Sequence, residues 1–416
     1  MSPKTSSIHK DAWLFPRVWG AMLLVLVVLT YPLWISTSGA TYPAIPLWVG
    51  LESASFLAIP ALLILLVALT LAIFMPDRFG WAWWLVAGSL LIAFLTDQHR
   101  LQPWAYQSCL YALIFASMNE CVGRKFLIPL AASVYIFSAA GKLDFQFAHT
   151  VGQEFLETIA APLGGIPESI DLSVRNRLAL VMPGVELIAG ICLLPRMTRR
   201  GAAMVLIIMH LTLIAMLGPW SLDHSRGVLI WNGMLIAQAI LLMMGRAPSA
   251  DPSQQSDSAQ KLVGRFTTLQ WIVGGVVTVG IFAPLFERAG YWDHWTSWSL
   301  YSPHTSRAEI ELHQSVIGTL PSEIEEHLLE DSDGDGWHRL SLEPWSLAER
   351  FVPLYPQARY QLALAARLAR DHNWDRDMRV RLRGVADRWT GERTDTRLLG
   401  KQQIEEALSR FWLQRD

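Results

Sequence analysis

A lysine at the end of an apolar stretch is the residue whose type and position could most directly do chemistry. Residues 135–147 read Y-I-F-S-A-A-G-K-L-D-F-Q-F, so Lys142 follows a run of apolar residues and precedes Asp144 by two positions. An amine held against apolar walls is less stable as the charged ammonium, and its neutral form can act as a base. The alternative is that the long side chain extends to the membrane–water interface, where a hydrated ammonium needs no chemical role.

Three polar residues occur inside other apolar stretches. Glu186, His210 and Asn232 each lie within a predicted membrane span. An unpaired charge in hydrocarbon costs about 2.5 kcal/mol or more, so such residues suggest a functional site. We predict that His210 positions a substrate and that Glu186 and Asn232 contact a ligand or cofactor. The alternative is hydrogen bonding between helices, for example from Glu186 to His210.

A second polar group follows the third apolar stretch. Asp97, His99 and Arg100 lie at its end, on the side of the membrane predicted for Lys142. We expect Asp97 and Arg100 to face the same outward cavity as Lys142 and to position a substrate there. The sequence contains no zinc-like spacing and no C-x-x-C among Cys109, Cys121 and Cys192, so we predict no metal site and no dithiol redox centre.

The composition indicates a membrane protein with a water-exposed tail. The chain has 416 residues, of which 52% are hydrophobic and 17% are charged. Lys and Arg outnumber Asp and Glu by 18 to 15 in residues 1–288, whereas residues 289–416 contain 16 against 21. The acidic part is predicted to be exposed to water. Because no coherent basic face is present, nucleic acid is not an expected partner.

Hydropathy predicts about nine membrane spans, since stretches near the ~18 to 20 residues needed to cross a bilayer recur along the chain. They are residues 18–35, 56–75, 80–95, 104–121, 126–141, 178–194, 202–217, 228–244 and 269–286. With the N-terminus inside, the inside segments hold twelve Lys and Arg and the short outside loops five. This asymmetry follows the positive-inside rule. Cleavage of the first span as a signal peptide, at Ser38-Gly39-Ala40, is an alternative.

The predicted arrangement is therefore a multi-pass protein of the cell membrane. Residues 1–17 form a cytoplasmic N-terminus, 18–288 a mainly α-helical transmembrane bundle, and 289–416 a small extracytoplasmic α+β domain. Alternating patterns predict strands at 309–314, 337–342 and 378–383, and helices are predicted at 360–370 and 402–411. Asp331, Asp333 and Asp335 resemble half of a calcium loop, but Leu342 stands where the closing carboxylate should be, and a turn is the alternative.

Several motifs resemble integral membrane proteins related to vitamin K-dependent γ-carboxylase, the horizontally transferred transmembrane (HTTM) domain family. They are A-G-K-L-D at 140–144, D-Q-H-R-L-Q-P-W-A-Y at 97–106, M-H-L-T-L-I-A-M-L-G at 209–218 and W-S-L-Y-S-P-H at 298–304. The stretch P-G-V-E-L-I-A-G-I-C-L-L at 183–194 is also similar to small membrane proteins of the DoxX and MauE type. The resemblance covers about residues 15–290, together with the turn into the tail at 298–304.

The resemblance implies a function. The family's enzyme uses a lysine base at the outer side of the membrane to deprotonate a reduced quinone, and Lys142 matches that position. Two departures argue against carboxylation. Trp104 stands where the carboxylase carries a catalytic histidine, and the C-terminal tail is much shorter than a domain that binds a protein substrate. One hypothesis is an enzyme acting on a lipid or quinone-type compound at the outer leaflet, with a reduced quinone as the implied cofactor. The other is an assembly factor or carrier whose outer domain binds an extracytoplasmic protein.

Overall fold

The computed structural model describes residues 14–35, 41–48, 50–245, 266–331 and 333–411. Most of residues 1–17, the Ser38–Ala40 cleavage motif and the linker at 247–259 lie outside these ranges. The longer helices are α1 Leu14–Leu29, α2 Ala58–Phe74, α3 Ala82–Thr96, α4 Pro103–Ser117, α5 Glu120–Lys142, α6 Val151–Ala160, α7 Leu172–Cys192, α8 Arg199–Leu217, α9 Arg226–Gln238, α10 Thr268–Phe282, α11 Leu342–Arg350, α12 Ala358–Asp371 and α13 Gly400–Leu408.

Short helical segments connect the longer helices. They are Tyr31–Trp34, Leu51–Leu57, Pro76–Phe79, Gln98–Arg100, Phe145–His149, Ala161–Leu163, Ala239–Met244, Ala283–Phe286, Gln314–Ile317 and Ser322–Glu325. The segment Leu51–Leu57 leads directly into α2, Ala239–Met244 continues α9, and Ala283–Phe286 continues α10. Each of these continuations lengthens an apolar helix.

Several helices are suited to a membrane. Within the described ranges, five are long and apolar enough to cross one: Leu51–Phe74, Glu120–Lys142, Arg199–Leu217, Arg226–Met244 and Thr268–Phe286. Helices α1 and α3 are apolar but shorter. Helix α4 has 15 residues, a length of about 22 Å against a hydrocarbon core of about 30 Å. Helix α7 includes Arg175, Arg177 and Glu186. Every predicted span falls on a helix, and the total of nine stays a prediction.

Helices α5 and α7 pack closely, and this contact positions the candidate site. A Cβ atom at Gly190 of α7 would lie 2.9 Å from the Cβ atom of Tyr135 and 3.1 Å from the backbone nitrogen of Ile136 on α5. Only a residue without a side chain fits such an approach, which is typical of helix pairs in membranes. The close contact brings polar side chains of the two helices within reach of each other.

The C-terminal region contains a small antiparallel sheet covered by helices. Strands β1 Arg307–His313, β2 Trp337–Arg339, β3 Met378–Arg383 and β4 Asp395–Leu399 are arranged in the order β2-β1-β3-β4. Ala308, Ile310 and Leu312 of β1 point into the core, as strand alternation requires, and α12 packs against this face. The predicted α+β character is confirmed, although β4 and α11 were not predicted.

A buried ion pair and a hydrogen bond join this region to the helices. The guanidinium of Arg350 in α11 lies 3.6 Å from the carboxylate of Asp97. His99 Nε2 lies 2.9 Å from the carbonyl oxygen of Pro353. His99 is fully buried, so the C-terminal region is docked on the helices over a surface that excludes water.

Candidate functional site

A large cavity opens between the helices and the C-terminal region. Its volume is about 790 Å³, within the ~300 to 1,000 Å³ range of pockets that hold small ligands. Most of its wall is apolar. Four of the predicted site residues line it: Lys142, Glu186, His210 and Asn232. The structure therefore brings together, from four different helices, side chains that are far apart in the sequence.

Lys142 forms a buried ion pair in the cavity wall. Its Nζ lies 2.6 Å from Oε2 of Glu186 and donates a hydrogen bond to Ser138 Oγ at 3.0 Å. Lys142 is 9% exposed and Glu186 is 7% exposed. Removing either partner would leave the other as an isolated charge in an apolar setting, which is strongly destabilising. The prediction that Lys142 is shielded from bulk solvent agrees with this geometry.

The chain around Lys142 fixes where the amine can be. Lys142 is the last residue of α5, and a Cβ atom at Gly141 would lie 2.7 Å from Ser302 Oγ, so this glycine allows the C-terminal region to approach the helix end. Asp144 does not pair with Lys142. It caps the next helix by accepting a hydrogen bond from the Phe147 backbone N–H at 2.8 Å, and it pairs with Arg288 at 2.7 Å.

His210 belongs to a separate hydrogen-bonded group that links three helices. Its Nδ1 lies 2.8 Å from Oδ1 of Asn232, and its Nε2 lies 3.0 Å from the Tyr135 hydroxyl. Because an amide oxygen only accepts, Nδ1 carries the proton, and in the neutral ring Nε2 accepts from Tyr135. The Glu186–His210 hydrogen bond offered as an alternative does not form. His210 is held in one tautomer and one orientation.

The prediction that Asp97 and Arg100 share the cavity with Lys142 was wrong. The short helix Gln98–Arg100 turns both side chains inward, where Asp97 Oδ2 lies 3.9 Å from Arg100 Nε and 3.6 Å from an Arg350 nitrogen. Arg100 also donates to the carbonyl of Leu33 at 3.0 Å. Both are almost completely buried. They hold the C-terminal region in place, whereas Gln102 and Trp104 of the same motif line the cavity.

We infer that the cavity opens between α7 and α8, because residues of both helices that line it are exposed. Val181 and Val185 of α7 and Thr212 of α8 line the cavity and are also exposed on the outside of the protein. The amphipathic helix α6 closes one side through Phe155 and Ile159. Because Val181 and Val185 border this opening, its rim is mainly apolar and suited to contact with lipid chains.

The opposite wall belongs to the C-terminal region and carries charge. Arg307 and Glu343 line it, and Glu343 Oε2 accepts a hydrogen bond from the Leu354 backbone N–H at 2.9 Å. Glu343 is open to the cavity but surrounded by protein atoms, and the resulting loss of hydration raises the pKa of its carboxyl to about 7. The cavity thus has an apolar mouth and a polar far wall.

Sequence reasoning missed a second buried group beside the cavity. Glu287, His294 and His304 converge near the end of α10, and His294 lines the cavity. Burial alone would raise the pKa of Glu287, but hydrogen bonds with the two histidines outweigh it and hold that pKa below its ordinary value. Burial would lower the pKa of His304, but the nearby carboxylates of Asp144 and Glu287 raise it. The W-S-L-Y-S-P-H motif was the available signal.

The acidic group at 331–335 has the contacts of a turn. Asp331 accepts hydrogen bonds from the backbone N–H groups of Gly334 and Gly336, each at 2.8 Å, and Asp335 pairs with Arg379 at 2.7 Å. Side-chain bonds to backbone N–H groups two to five residues ahead are typical of turns, so these contacts favour the turn interpretation.

No protein-family model matches this chain, and no curated protein or solved structure is significantly similar to it. The resemblance to the HTTM family therefore stays a prediction that depends on the motifs alone.

Proposed function

We propose that this protein is a multi-pass enzyme of the cell membrane that binds a lipid-like or quinone-type compound and transfers a proton from it to Lys142. The proposed orientation has a cytoplasmic N-terminus and an extracytoplasmic C-terminal region, so the site acts at the outer leaflet. The observation that carries the proposal is the buried Lys142–Glu186 ion pair in the wall of the 790 Å³ cavity. Buried ionisable groups facing a cavity are typical of functional sites in membrane proteins.

The shape and lining of the cavity support an amphipathic ligand. A tail would lie in the mouth between Val185 and Thr212, and an oxygen-bearing ring or headgroup would lie beside Lys142. A ligand that enters between α7 and α8 would not have to leave the membrane. Membrane lipids and quinones have this combination of an apolar chain and a polar end.

The ion pair supports proton transfer. Movement of a proton from the Lys142 ammonium to Glu186 gives an uncharged amine beside an uncharged carboxylic acid, a state that avoids the desolvation of two charges. The amine then accepts the proton of a ligand hydroxyl, so that the ligand O–H bond breaks as an N–H bond forms. His210, held by Tyr135 and Asn232, acts as a positioning residue at the same wall.

The cavity also supports one of the two hypotheses over the other. An assembly factor or carrier that works only through its outer domain has no need for a ligand-sized space around a buried lysine. The cavity therefore favours the enzyme, and an extracytoplasmic protein partner remains a second proposal without a specific supporting contact.

The test is to replace Lys142 by a residue that keeps the charge. Arginine preserves a cation opposite Glu186 but does not lose its proton, so Lys142→Arg should retain ligand and lose turnover by ~100-fold or more. Purified protein in lipid nanodiscs would be incubated in air-saturated buffer with reduced short-chain menaquinone or ubiquinone. Dissolved oxygen would take two electrons from the deprotonated quinol, and formation of the quinone would be measured by liquid chromatography and mass spectrometry. Lipids retained after purification would be identified in parallel.

The matched control is Lys125→Arg. Lys125 is exposed and lies near the opposite end of the same helix, so this substitution should leave turnover and retained lipid unchanged. If Lys142→Arg turns the substrate over at the wild-type rate, Lys142 is not the base. Absence of turnover and of retained lipid in the wild-type protein would contradict the proposed ligand class.

A further inference from the structure

Glu287, His294 and His304 form a compact set of metal-ligand atoms in the interior of the protein. His294 Nδ1 lies 2.7 Å from Glu287 Oε1, and His304 Nε2 lies 3.1 Å from both carboxylate oxygens of Glu287. One ligand atom from each of the three residues lies within 4.8 Å of the others. The two histidines are 1% and 0% exposed, so few competing water contacts are available.

The surroundings of His304 match those of a metal-bound histidine. A ligating imidazole usually directs its second nitrogen to a carboxylate, which fixes the ring and its tautomer. His304 Nδ1 lies 3.2 Å from Asp144 Oδ2, on the side of the ring away from Glu287. Asp144 is itself held by Arg288 at 2.7 Å and by the Phe147 backbone N–H at 2.8 Å.

The charge of this group also suits a cation. Glu287 and Asp144 supply two negative charges within a buried region, and Arg288 compensates one of them through Asp144. A divalent ion between Glu287, His294 and His304 would balance the negative charge that Arg288 leaves uncompensated.

We infer that Glu287, His294 and His304 bind a divalent first-row transition-metal ion such as Zn²⁺, and that Asp144 orients the ring of His304 through its other nitrogen. Two imidazoles and one carboxylate are a donor set that suits such ions. Bonds of about 2.0 to 2.2 Å in a tetrahedral arrangement place ligand atoms about 3.4 Å apart. The nitrogens of His294 and His304 would therefore move about 0.7 Å and about 0.3 Å farther from the Glu287 oxygen than the 2.7 and 3.1 Å seen here.

The site lies beside the cavity. His294 is one of the residues that line the cavity containing Lys142, whereas Glu287 and His304 lie behind it. Metal binding itself does not depend on proton transfer at Lys142, and the two proposals can therefore fail separately.

The experiment uses the full-length protein in detergent. Metal would be removed with a chelator, and Zn²⁺ binding would then be followed by isothermal titration calorimetry. Co²⁺ would be added in a second titration because its visible spectrum reports nitrogen and oxygen ligation. We expect one equivalent of metal ion to bind per protein, and we expect the visible spectrum of bound Co²⁺ to be that of an ion with four or five ligands. A wild-type protein that binds no stoichiometric Zn²⁺ or Co²⁺ overturns the inference, whatever the variants do.

Substitutions then locate the ion. Glu287→Gln and His294→Gln should lose stoichiometric binding, and Asp144→Asn should weaken it by about 10- to 100-fold. His224→Gln is the matched control, because His224 lines the same cavity but is not one of the proposed ligands, and it should bind as the wild type does. Unchanged binding in Glu287→Gln would place the ion elsewhere and overturn the inference. Lys142→Arg should bind Zn²⁺ normally, which separates this test from that of turnover.

Discussion

The buried Lys142–Glu186 pair can be tested with a double-mutant cycle. The set consists of Lys142→Met, Glu186→Gln and the double variant. Either single change leaves one buried charge without its partner, which costs about 3 to 5 kcal/mol, whereas the double variant leaves none. With an unfolding entropy of roughly 2.1 cal/mol/K per residue, a 416-residue chain should lose about 3 to 6 °C in each single variant and recover most of it in the double.

Thermal unfolding in detergent, followed by tryptophan fluorescence, measures these shifts. The exposed ion pair between Arg175 and Glu157 is the matched control, since its coupling should stay below about 1 kcal/mol. If the single variants at Lys142 and Glu186 melt like the wild type and show no coupling, the amine is hydrated and extends to the interface. That result would refute the shielded site.

Three further predictions concern the docked C-terminal region. Burial lowers the pKa of His99 to about 4, so stability should fall as pH drops from about 6.5 to 4, by up to about 3 kcal/mol, and His99→Gln should remove this loss in thermal melts. Because the pKa of Glu343 is raised to about 7, its contribution to folding stability is fully present below about pH 4.5 and is lost as the pH rises through 7. Glu343→Gln should reduce this loss of stability in thermal melts. A variant with the same pH profile as the wild type would contradict the prediction. Asp97→Asn leaves Arg100 and Arg350 facing each other and should cost about 3 kcal/mol or more, with faster proteolysis of the C-terminal region; wild-type proteolysis would contradict this.

The sequence was informative where one residue contrasts with its neighbours. Four site residues were recognisable because a polar side chain within an apolar stretch is costly unless it has a partner or a role. All four line one cavity: Lys142, Glu186, His210 and Asn232. Helix positions and the strand alternation of β3 were recognisable for the same reason, since each depends on a local pattern.

Which polar side chain pairs with which could not be predicted from the sequence in this way. Whether Glu186 pairs with Lys142 or with His210 depends on how α5 and α7 are rotated against each other, which no local pattern specifies. Asp97 and Arg100 were misplaced because the direction of the short turn after α3 decides which way they point. The group of Glu287, His294 and His304 was missed because its irregular spacing acquires meaning only when the chain folds back over the end of α10.

The most direct test of the central claim is a cryo-electron microscopy map of the protein in lipid nanodiscs prepared with native membrane lipids. The account predicts elongated density that enters between α7 and α8, past Val185 and Thr212, and ends beside the Lys142–Glu186 pair. A map in which side chains fill this space, or in which Lys142 extends into bulk solvent away from Glu186, would contradict it.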